Sequence, residues 1–66
     1  MYSLKVHYFT VDGMHVSSIT DKFVPGTTQS AVREFVRGLT PSNPFRLKIA
    51  FCYVEAEGAA PFLIKM

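Results

Sequence analysis

His7, His15, Ser18 and Cys52 carry the side chains of this chain best suited to nucleophilic or metal chemistry. A serine activated by a histidine needs the two groups within hydrogen-bond reach. Their adjacency depends on a hairpin. Asp12-Gly13 stands between two runs that read as strand, and it supplies two residues tolerant of positive φ, as a two-residue type I′ turn demands. That turn predicts the cross-strand pairs Val11–Met14, Phe9–Val16, His7–Ser18, Val6–Ile19 and Leu4–Asp21. His7 and Ser18 then meet on one face. The expected strand phases put no carboxylate on that face to orient the histidine, and no oxyanion hole is legible. The expectation is therefore no enzyme and no cofactor.

The same register sends His7 and His15 to opposite faces, so they cannot share a tetrahedral metal site within one chain. Alternation sets Cys52 beside Ala50 and Val54, which predicts a small, partly buried thiol. Pro25-Gly26-Thr27-Thr28 precedes a helical pattern whose first N–H groups could hold an anion. It lacks the glycine spacing and the lysine of a phosphate loop, and a threonine cap accounts for it.

The elements that must position these groups follow from periodicity. Tyr2 to Val11 alternates with period two, with Leu4, Val6 and Tyr8 opposite Lys5, His7 and Phe9. Met14 to Val24 is the second run, and Ile19, Asp21 and Phe23 fall on the face of Leu4 and Val6. Asp21 and His15 are awkward there, which predicts the sheet margin or a bulge. From Gln29 to Leu39, Ala31, Val32, Phe35, Val36 and Leu39 form a helical stripe, while Arg33 and Arg37 lie on the solvent side. Pro41 and Pro44 rule out continuation. Phe45 to Glu55 alternates again, with Phe45, Leu47, Ile49, Phe51 and Tyr53 against Arg46, Lys48, Ala50, Cys52 and Val54. Phe62 to Met66 makes a final edge strand. The predicted fold is α+β in the order ββαββ: a four-stranded, mainly antiparallel sheet with one helix packed on one face.

The 66 residues make one small domain, 1–66, with a marginal core. A single cysteine excludes an intramolecular disulfide, so stability must come from packing or from self-association as a homodimer. The lone thiol and the alternating N-terminus favour the cytoplasm over secretion, and no stretch is apolar enough for a membrane span.

The sheet face away from the helix is the expected working surface. Strand phase gives it Lys5, Lys22, Arg46, Lys48 and Lys65, and an apolar cluster of Phe9, Val11, Met14 and Val16 near the hairpin tip. Phe9, Val11, Met14 and Val16 ringed by Lys5, Arg46 and Lys48 predict a protein-binding module of the inhibitor or adaptor kind, acting through this face or the terminal edge strand, with an acidic protein as partner. The alternative is a nucleic-acid-binding protein using the same basic face. Only one aromatic, Phe9, is expected there, fewer than the two or three that sheet-based RNA modules offer.

Overall fold

The computed structural model describes residues 2–66. Its elements are β1 (Tyr2–Phe9), β2 (His15–Phe23), α1 (Gln29–Arg37), β3 (Phe51–Ala56) and β4 (Phe62–Lys65). The ββαββ order stands as expected. All neighbouring strands are antiparallel, in the order β2-β1-β3-β4, so β1 and β3 are central and β2 and β4 are edges.

The first hairpin keeps its predicted register over most of its length: Leu4 faces Asp21, Val6 faces Ile19 and His7 faces Ser18. The tip differs. Gly13 N–H donates to Thr10 O at 3.0 Å and Thr10 N–H donates to Met14 O at 2.9 Å, closing a three-residue loop over Val11, Asp12 and Gly13. Only Gly13 takes positive φ, at 87°, so Val11 is a loop residue and the Val11–Met14 pair does not form. The Thr10 hydroxyl donates to the Asp12 carboxylate and also accepts from Met14 N–H. That hydroxyl, helped by a backbone N–H, holds the Asp12 carboxyl below its ordinary range.

A bulge then restores the register. Phe9 faces His15, Tyr8 faces Ser17, and Val16 is the extra residue between them. Such an insertion changes which side of the sheet the neighbouring residues face. His15 shares the face of Phe9 and His7, and Val16 packs against the core instead of pairing with Phe9.

Helix α1 starts where the sequence says it should: Thr28 Oγ1 accepts from Ala31 N–H at 3.2 Å. This bond satisfies one of the free N–H groups of the first turn. Val32 and Val36 face the sheet and join Leu4, Val6, Tyr8, Cys52, Val54, Ala56 and Ile64 in the core. Arg33 is not a free solvent-side cation. It lies 4.6 Å over the Phe62 ring and reaches Leu63 O, tying the helix to β4.

Strand β3 has the opposite phase to the one alternation suggests. Cys52, Val54 and Ala56 are buried beneath the helix, so Phe51 and Tyr53 lie on the other face. The strand also begins later than Phe45. Asn43 uses its side chain to accept from Leu47 N–H at 3.0 Å and to donate to Leu47 O at 2.7 Å. Arg46 sits inside this closed turn with φ of 53°, a left-handed backbone far from the extended range of a regular strand. Phe45 is 82% exposed, and only Ile49 of the expected Phe45–Ile49 set packs on the core.

Candidate functional site

The helix covers one side of the sheet, and the other side is open. Its centre is aromatic. Phe9 on β1 and Phe51 on β3 are direct cross-strand partners, with ring centroids 5.3 Å apart and planes inclined by 17°. His15 approaches Phe9 edge-on at 5.5 Å. His7 lies 6.2 Å from Tyr53, its cross-strand partner, and 6.4 Å from His15. These rings form one strip across β2, β1 and β3.

A chain of hydrogen bonds runs along the strip. His7 Nε2 is 2.9 Å from Glu55 Oε2, and His7 Nδ1 is 2.8 Å from Ser18 Oγ. His15 Nε2 reaches the same Ser18 oxygen at 2.9 Å. A carboxylate only accepts, so neutral His7 carries its proton on Nε2 and its Nδ1 must accept. The Ser18 hydroxyl therefore donates to His7, and its oxygen receives the N–H of His15. One orientation satisfies all three contacts.

Beside Phe51 the face dips into a shallow groove of about 480 Å³, lined by Val11, Ala50, Phe51, Leu63, Lys65 and Met66. Leu63 is 56% exposed and Val11 86% exposed. A smaller adjoining hollow brings Lys48 and Ile49 next to Val11 and Met66. Lys5 and Lys22 occupy positions of the open face on β1 and β2, and Lys65 occupies one on β4.

The expected site residues divide accordingly. Phe9 and Lys5 lie on the open face, Val11 at its groove, and Lys48 at the adjoining hollow, in the segment before β3. Met14 is exposed at the hairpin end. Val16 belongs to the core side, and Arg46 is held in the Asn43–Leu47 turn, so neither shares the strip. Glu55 corrects the expectation that no carboxylate would reach His7. His15 corrects the assignment of the two histidines to opposite faces. Among the described residues, no group of three or more His, Cys, Asp or Glu is arranged to hold a metal ion.

No protein-family model, curated protein or solved structure matches this chain.

Sequence reasoning missed Phe51, Tyr53, Glu55 and Leu63. The available signal was the pairing of small apolar residues at Cys52, Val54 and Ala56, which suits the close approach of a helix better than alternating rings do. Cys52 is buried, and that burial pushes its thiol above its ordinary range, partly offset by the Ile64 backbone and Arg37. Among the described residues, no helix is long and apolar enough to cross a membrane.

Proposed function

We propose that the open face binds a partner protein that offers apolar side chains within an acidic margin. The carrying observation is the continuous strip of Phe9, Phe51 and Tyr53 leading into the groove at Leu63 and Val11. Interface centres are enriched in aromatic residues and depleted of charge, with polar groups at the rim. Lys5, Lys22 and Lys65 supply that rim, and Glu55, the acid on the strip, is engaged by His7. Face-to-face pairing with a second copy would set lysine against lysine, which favours an acidic partner over a homodimer. An accessory inhibitor or adaptor role fits a small domain of this kind, and a free buried thiol fits the reducing cytoplasm.

The test is capture on immobilised protein after nuclease treatment, followed by reconstitution of the pair from purified components. A partner with an acidic surface that binds the wild-type chain and not Leu63→Glu supports the reading. A reconstituted partner that binds both equally removes it.

A second reading is favoured by the aromatics themselves. Phe9, Phe51 and Tyr53 on the central strands of an open sheet match the platform on which bases stack. Arg46 and Lys48 lie outside the strands, which lowers the positive charge available to phosphates. Single-stranded RNA binding that falls steeply with salt, and is lost in Phe51→Ala, would establish this alternative.

A further inference from the structure

Ser18 is an ordinary exposed strand residue except for what surrounds its oxygen. Its hydroxyl is donated to His7 Nδ1 at 2.8 Å, and its oxygen also receives His15 Nε2 at 2.9 Å. On the far side of His7, Glu55 Oε2 lies 2.9 Å from Nε2. These are the roles of a nucleophile, its base and the carboxylate that fixes the base's tautomer, brought together by three different strands. The arrangement needs two features that alternation alone does not deliver: the bulge at Val16, which turns His15 onto this face, and the phase of β3, which turns Glu55 onto it.

We propose that Ser18 is an activated nucleophile that accepts an acyl group from aryl esters of short carboxylic acids. Its Oγ attacks the ester carbonyl carbon and the hydroxyl proton passes to His7 Nδ1. The carbonyl oxygen gains the negative charge, and His15 Nε2–H, which shifts to it from Ser18 Oγ as that oxygen bonds the acyl carbon, is the donor, in the role a backbone N–H plays in other acyl-transfer sites. When the tetrahedral intermediate collapses, the ester C–O bond breaks and the phenolate leaves, taking the proton from His7. Water, losing a proton to His7, then attacks the acyl carbon; the acyl C–Oγ bond breaks, Ser18 Oγ takes the proton back from His7, and the carboxylic acid leaves. The ester and water are the only reactants this balance needs. An aryl leaving group suits the site because the aromatic strip borders it, with Tyr53 6.2 Å from His7 and Phe9 5.5 Å from His15. A phenolate also leaves without strong acid assistance. Glu55 touches no reacting atom and is a positioning residue.

The experiment is incubation of the full chain with p-nitrophenyl acetate, following nitrophenolate release and mapping acetyl groups by peptide mass spectrometry. The expected result is an acetyl group on Ser18 and a release burst that Ser18→Ala abolishes. His7→Gln should slow acetylation of Ser18 by about 100-fold, the lower range for loss of a general base. Glu55→Gln should slow it and Glu55→Asp should restore part of the loss, which a merely structural role would not reproduce. Thr20→Ala, an exposed hydroxyl on the same strand, should change nothing. A readout without substitutions covers variants that fail to fold: in urea, the Ser18 adduct should vanish while adducts on lysines persist. Acetyl groups confined to lysines or histidines would overturn the proposal, as would Ser18 labelling at the wild-type rate in His7→Gln or equally in urea.

Discussion

Phe9 and Phe51 stack as cross-strand partners at 5.3 Å on the face of the sheet turned away from the helix. That relationship fixes the phase of β3, because a residue that faces its partner across two strands must share its side. The share of β3 in the open face descends from it. Tyr53 and Glu55 follow Phe51 outward, and Cys52, Val54 and Ala56 go inward.

The stability of variants should report this phase. Val54 is fully buried, so Val54→Ala should cost about 2 kcal/mol from lost burial and the cavity left behind. Tyr53→Thr, on the open face with a strand-compatible residue, should cost less than about 1 kcal/mol, the worth of a cross-strand pair. Urea unfolding of the two variants checks the ranking, and a larger loss for Tyr53→Thr would invert the phase.

The hydroxyl of Tyr8 is buried and has no hydrogen-bond partner among the described residues. Leaving a polar atom unpaired in a core is costly, so Tyr8→Phe should be neutral or stabilising by up to about 1 kcal/mol. Thermal unfolding at neutral pH measures it. A clear loss of stability would mean that the hydroxyl has a partner in solution.

Alkaline pH should weaken the fold. Burial raises Tyr8 above 10.0, with Cys52 adding to the effect, and burial raises Cys52 above 9.0. Well below pH 9 both groups are protonated in folded and unfolded chains alike, and their contribution is level. Above that the unfolded chain loses protons first, so stability falls by up to about 1.4 kcal/mol per pH unit for each group. Urea midpoints from pH 8 to 11 should drop, and Cys52→Ala should flatten the first part of the drop. A midpoint that does not move across this range contradicts the burial of both groups.

Gly13 holds φ of 87° with nothing within 4 Å of the place a Cβ would occupy. Gly13→Ala should therefore cost about 1 kcal/mol through backbone strain alone. The contacts of His7 with Ser18 and Glu55 should survive it, since the register from Tyr8 to Tyr2 is set by the bulge and the core. Chemical shifts of His7 and His15 that stay at their wild-type values would check this.

Much of this architecture was legible because local and tertiary preferences agree. Leu4, Val6 and Ile19 mark the core side of the hairpin, and the Thr27-Thr28 pair marks the helix start, with Thr28 the one that caps it. The phase of β3 was not, because the rings of Phe51 and Tyr53 offer more apolar area than Cys52 and Val54, while it is the smaller set that packs with Val32 and Val36 in the core. Nor did alternation reveal that Asn43 would spend its side chain on Leu47 and end the strand pattern there. The loop at Gly13 and the bulge at Val16 offset each other, so the hairpin register was right along most of its length and wrong at the residues nearest His15. The awkwardness of His15 on the core side was the visible trace of that bulge.

The open face as a binding surface is tested most directly by the affinity of the reconstituted pair for three variants. Leu63→Glu and Phe51→Ala should each weaken binding by about 10-fold or more, as expected for central contacts of an interface. Arg46→Glu, away from the strip in its own turn, should leave the affinity within about 2-fold of wild type, a rim-or-remote effect. Unchanged binding in the first two variants, or a loss confined to Arg46→Glu, would contradict the assignment of this face.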